Sequence, residues 1–243
     1  MNQLRYRLYR EHKYVSFMIS TFRANIAKID FCFNENINTI KEGLLEITEL
    51  MHGHASHENT AIHSLLKAKN SDVYQITEEE HDAHANCFEK LNQILEKITN
   101  STNTLNKIEL GHQFYLEVQR FEAENLLHQI YEETVIMSEL QRLYTDEELL
   151  NKIEAKTYAI MTPEQMIHMM EVLFPHFNAD DRASFLNDIY QTEPAKFITV
   201  WNGISSIIDV SEREHYAVRF SHQLNSTDKQ PNIHMNTRDQ LCH

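Results

Sequence analysis

The stretch HGHASHENTAIH, residues 52–63, places four histidines and one glutamate in a segment of helical pattern. His54 and Glu58 are four residues apart. On a helix such a pair returns within about 40° and lies ~6 Å apart along the axis, so an imidazole and a carboxylate can enter one cavity. HQIYE repeats the spacing with His128 and Glu132. A lone HxxxE pair is more often a solvated or simply packed pair. Two of them, joined by His12 and His81 on the apolar stripes of two further segments, must all be satisfied together by one core. Buried neutral imidazoles are tolerated, but two buried carboxylates need cations or donors, and these stripes carry no Lys or Arg. Mixed nitrogen and oxygen donors without thiolate suit iron, manganese or zinc, and two carboxylates able to bridge point to two ions.

Positioning such donors requires long helices. Four glycines and four prolines in 243 residues fall far below ordinary usage and favour that architecture. The formal charge of −14, without a basic patch, argues against nucleic acid and anionic membrane surfaces as partners. Cys32, Cys87 and Cys242 are odd in number and lack CxxC spacing, which predicts a reducing compartment and no disulfide framework. The opening MNQLRYRLYREHKYVSF has no apolar core of a signal peptide, and no run approaches 18 apolar residues. A soluble, cytoplasmic, non-membrane protein is expected.

The apolar periodicity predicts four helices, at about 4–32, 37–66, 75–98 and 104–143. Their inward stripes read Leu8, His12, Val15, Ile19, Phe22, Ile26; then Ile40, Leu44, Ile47, Met51, His54, Glu58, Ala61, Leu65; then His81, His84, Phe88, Leu91, Leu95, Ile98; then Phe114, Val118, Phe121, Asn125, His128, Glu132, Val135. Polar breaks at FNEN, KAKNSD and TNSTN give short connections, hence an up-down-up-down four-helix bundle. At ~1.5 Å per residue, His12 lies ~30 Å from the end of its helix and His54 ~26 Å from the start of the next. His81 and His128 match more loosely, at ~26 and ~36 Å. One layer of His12, His54, His81 and His128 near one end of the bundle follows.

The neighbouring residues take graded roles. His84 is a ligand or a donor to one, and Glu124, four residues before His128, is a weaker candidate. Asn125 reads as a hydrogen-bonded core amide, His57 as a surface residue with a lesser chance of supporting a ligand, and His52 and His63 as surface. Glu80 and Glu133 orient ligands or face solvent, and Cys87 is a buried small hydrophobe.

The segments HASHENTAIHSLL, EEEHDAHANCFEKL and LLHQIYEETVIMSELQRLYTDEEL resemble the hemerythrin-like family of non-haem di-iron proteins, over about residues 5–145. The resemblance implies His12, His54, Glu58, His81, His128 and Glu132 as ligands, with Glu58 and Glu132 bridging. It implies two Fe2+/Fe3+ ions joined by carboxylates and an oxo or hydroxo group, with manganese or zinc as alternatives. Oxygen carriers of the family have HxxxH on helix three, whereas Ala85 stands four residues after His81 and His84 stands three after it. They have HxxxxD on helix four, whereas position 133 is Glu. The chain therefore looks more like a sensor or iron-responsive branch than a dedicated carrier.

After about residue 145, TPEQMIHMMEVLFPHF and NADDRASFLNDIY each open on a cap-like Thr or Asn and predict shorter helices, with a third in EPAKFITVWNGISSII. The expected organisation is a bundle over 1–145, a helical extension over 146–224 and a disordered tail over 225–243. His168 and His176 are read as structural or surface, and His234 and His243 lie in that tail. The expected function is metal binding with oxygen or a related small oxidant as partner, for sensing or detoxification. The rival readings are a ferritin-like oxidase or peroxidase, using Glu78 and Glu124 in addition, and an iron-dependent module with an unidentified protein partner.

Overall fold

The computed structural model describes residues 6–221. The expected tail with His234, Cys242 and His243 lies outside the described residues. Among the described residues all regular structure is helical, with no strand.

Helix α1 spans His12–Ile26 and α2 spans Asn34–His57, passing through a π-helical turn at Glu58–Ile62 and resuming at His63–Ala68. Helix α3 spans Gln75–Asn100. Helix α4 spans Thr104–Tyr131, passes through a second π-helical turn at Glu132–Ile136 and resumes at Met137–Leu143. These helices pack in cyclic order, each against the next and α4 back against α1. The expectation of an all-α bundle holds in outline. A strict four-helix unit does not, because α5 (Asp146–Lys152), α6 (Glu154–Ile160), α7 (Pro163–Leu173), α8 (Ala179–Thr192), α9 (Pro194–Gly203) and α10 (Val210–Arg219) follow.

Local chemistry explains most boundaries. Thr145 and Thr162 form capping boxes with Glu148 and Gln165, and the Asn103, Asn178 and Asp209 side chains accept from the backbone N–H three residues on. Helix α1 is shorter than expected at both ends. Tyr9 has φ of 69°, a left-handed conformation that costs a bulky side chain energy and interrupts the helical run. Leu8, Tyr9 and Arg10 are nonetheless buried, so the residues before His12 form a packed strap. Beyond Ile26 the chain turns so that Phe31 lies on α4 at Gly111, where a Cβ would come within 2.4 Å of its ring.

The inward stripes fill the bundle from Val15, Ile19 and Ile26 to Phe114, Val118 and Phe121. A second core joins Tyr158, Phe174, Leu186, Phe197, Trp201 and Phe220 within the C-terminal helices. A third joins Leu8 and Tyr9 to Ile62, Leu66, Ile136 and Leu140, just past the two π-turns.

The π-turns correct the expected stripes. The N–H of His63 bonds the carbonyl of Glu58, and that of Met137 bonds the carbonyl of Glu132, each spanning five residues rather than four. The extra residue advances the buried face to Ile62 and Leu66 in place of Ala61 and Leu65, and to Ile136 in place of Val135, which is 37% exposed. Replacing Ile136 by Ala is expected to cost about 2–4 kcal/mol in urea denaturation. Val135→Ala should cost less than about 1 kcal/mol. Equal costs would mean that the helix is not shifted.

Candidate metal centre

The first residue of α1, the end of the first part of α2, the first turns of α3 and the end of the first part of α4 bring six side chains to one level. His12, His54, Glu58 and Glu132 form one group, and Glu58, His81, His128 and Glu132 form the other. Within each group one donor atom per residue lies within 4.8 Å of all the others. The ring centroids of His12 and His54 are 5.0 Å apart, and those of His81 and His128 are 4.9 Å apart. The two glutamates belong to both groups, so they stand between two pairs of imidazoles.

Distances define the arrangement. Glu58 Oε1 lies 3.2 Å from His54 Nε2 and 3.6 Å from His12 Nε2, while its Oε2 lies 3.1 Å from His81 Nε2. Glu132 Oε2 lies 3.3 Å from His128 Nε2 and 3.4 Å from His12 Nε2. Two donors each ~2.1 Å from a shared ion and at right or tetrahedral angles are ~3.0–3.4 Å from one another. The observed spacings fit the edges of coordination polyhedra.

Satisfaction of polar groups gives the same answer. The Nε2 atoms of His12, His54, His81 and His128 and all four carboxylate oxygens of Glu58 and Glu132 are buried without a hydrogen-bond partner. Buried polar atoms are ordinarily paired, so eight unpaired atoms converging on one cavity fit two cations. Burial raises the carboxyl of Glu132, and the adjacent Glu58 raises it further, well above the usual carboxylate range. At Glu58 burial acts in the same direction, but His54, His12 and His81 outweigh it and hold the group well below that range. Two carboxylates in one dry cavity resist joint ionisation, and cations remove the conflict. Burial lowers His128 to about 3 and also lowers His54, favouring the neutral form that ligates. His12 differs: burial opposes its charge, yet the hydrogen bond with Glu133 and the nearby carboxylate of Glu58 raise it to about 9.

The outer nitrogens of three imidazoles are anchored. His12 Nδ1–H donates to Glu133 Oε1 at 3.0 Å, His128 Nδ1–H to Glu80 Oε2 at 2.8 Å, and His81 Nδ1–H to Asn59 Oδ1 at 3.3 Å. These bonds place the Nε2 lone pairs inward. Glu80 and Glu133 each bond an imidazole while their side chains stay 39% and 53% exposed. Asn59 went unrecognised, although its position directly after Glu58 at the π-turn was visible in the sequence.

The other candidates separate clearly. His84 is buried but belongs to neither group. Its ring packs edge-on against His128 and Phe121, and burial lowers it to about 4. Glu124 and His52 are exposed and His57 is half-buried. His63 overturns its surface assignment: it is fully buried, stacks on His81 at 5.8 Å, and its Nε2–H donates to the Thr77 hydroxyl at 3.1 Å. The π-turn moves His63 inward. Asn125 is buried, but its Oδ1 has no partner, contrary to the expected hydrogen-bonded amide. Cys87 is half-buried rather than buried, with burial raising its thiol to about 11.

Glu80→Ala and Glu133→Ala are each expected to weaken metal affinity about 10–100-fold while leaving the number of ions bound unchanged, as measured by competition with a chelator. Unchanged affinity in both would remove the orienting role. No protein-family model, curated protein or solved structure matches the chain.

Proposed function

We propose that the chain is a hemerythrin-like di-iron protein that binds oxygen or a related small oxidant for sensing or detoxification, in the cytoplasm. The observation that carries this reading is the set of eight inward atoms without partners, divided evenly between two half-sites that share two carboxylates. Iron suits this donor set, and manganese or zinc could use the same atoms. When bound, a pair of iron ions supplies electrons and an open coordination position.

The chain's own residues do the remaining work. Glu58 addresses one pair of imidazoles with Oε1 and the other with Oε2, and Glu132 lies between both pairs. Glu133, Glu80 and Asn59 hold the rings in register. Ile62, Leu66, Ile136 and Leu140 on one side and Met51, Phe88 and Phe121 on the other are buried and exclude water. In this reading His84 supports His128 rather than ligating.

The ferritin-like alternative requires donors that the fold sends elsewhere. Glu78 bonds Lys67 at 2.5 Å, Glu124 faces solvent, and Glu11 belongs to neither group. A role as an iron-dependent interaction module has one specific support, the strap before His12. Its Tyr6 hydroxyl donates to Glu154 at 2.9 Å and Arg10 pairs with Asp188 at 2.5 Å, tying the ligand-bearing end of α1 to the C-terminal helices. Among the described residues no helix is long and apolar enough to cross a membrane.

Anaerobic loading with ferrous iron is expected to give about two ions per chain. Admission of oxygen should then produce a charge-transfer band. His54→Ala and Glu58→Ala should each lose metal, whereas His84→Ala should keep it. Unchanged metal content in the first two variants would defeat the proposal. For the module reading, hydrogen exchange in α6 and α8 should slow on iron binding, and identical exchange would exclude it.

A further inference from the structure

Tyr9 combines two features that packing alone does not explain. Among the described residues only Tyr9 and Asn70 are non-glycine residues with positive φ. Asn tolerates that region because its short side chain bonds locally, whereas an aromatic residue is strained there and is held only by its surroundings. The conformation turns the Tyr9 ring onto His12, with centroids 4.8 Å apart and planes inclined by 28°. The ring is 3% exposed, and its hydroxyl is buried without a hydrogen-bond partner. Burial is the main influence that raises the phenol well above its ordinary value, followed by the charges of Glu132 and then Glu58. Those are the two shared carboxylates of the centre.

With two cations in place, the inward imidazole nitrogens and carboxylate oxygens are consumed, and Glu133, Glu80 and Asn59 consume the outer nitrogens of three rings. Tyr9 Oη then remains as an O–H donor beside the His12 half-site. Two divalent or trivalent ions exceed the charge of two carboxylates, so the cavity attracts an anion.

We infer that Tyr9 is a ligand-binding residue whose phenolic O–H donates a hydrogen bond to a small anion or reduced oxidant held at the His12 side of the metal pair. This rests on the di-metal reading. The stack on His12 holds the ring against the half-site, and the buried hydroxyl has no other partner there.

Azide is the probe. Wild-type and Tyr9→Phe proteins loaded with ferric iron are compared by iron count, by azide titration, and by the infrared stretch of bound azide in H2O and D2O. Phe keeps the ring and its stack and removes only the hydroxyl. The expected result is equal iron content, azide binding weakened about 5–10-fold in Tyr9→Phe, and a solvent-isotope shift of the azide band in wild type alone. Equal azide affinity with no isotope shift in iron-loaded wild type overturns the role of Tyr9 and leaves the di-metal reading intact. A tyrosinate-to-iron band in wild type that vanishes in Tyr9→Phe makes Tyr9 a metal ligand and also overturns the donor role. Loss of iron from Tyr9→Phe assigns it to holding the cage instead. Absence of iron from wild type defeats the di-metal reading and this inference with it.

Discussion

Two buried carboxylates facing four imidazole nitrogens, without an ammonium or guanidinium to balance them, set the terms for the rest of the structure. A hydrophobic core accepts such a cavity only if cations occupy it or if its groups neutralise one another. Here the outer nitrogens of three imidazoles already donate to Glu133, Glu80 and Asn59. Their lone pairs are committed to the interior. The long helices, the short turns between them and the strap before α1 bring these six residues to one level from four directions.

Glu58 and Glu132 are each the first residue of a π-turn. The wider turn inserts one residue after each HxxxE, re-phasing the helix so that Ile62, Leu66, Ile136 and Leu140 seal the cavity. Regular α-helix would instead carry half-buried Ala61 and Leu65, or the exposed Val135, to that face. The same phase change buries His63 against His81. The π-turns are thus part of the site, since they let a carboxylate and the apolar residues beyond it face inward together.

How much could be read from the sequence follows from the same details. HxxxE spacing is a property of regular helix up to Glu58 and Glu132, so the two HxxxE pairs and the inward His12 and His81 were visible in periodicity, which did not separate His84 from them and matched the heights of His81 and His128 only loosely. The apolar stripes before those points were visible for the same reason. The stripes after them were not, because five-residue hydrogen bonding leaves no periodic mark that a 3.6-residue count can detect. His63 was misplaced for that reason. The start of α1 was hidden by Tyr9, whose left-handed backbone has no Gly or Asn to announce it and which sits beside Leu8, Ile62 and Ile136 in the third core. The caps at Thr162 and Asn178 announced the later helices correctly, because capping is a short-range interaction.

The upward displacements of both Glu132 and His12 have a consequence for exchange with solvent. Without cations, burial and the adjacent Glu58 hold Glu132 toward its protonated form, and the neighbouring Glu133 and Glu58 carboxylates do the same for His12. Cations entering the cavity must displace those protons before the same atoms can ligate. In the di-metal reading, filling the centre is therefore opposed by protonation of these two residues. Acidity of the surroundings would then act on loading of the proposed centre without any change in metal supply.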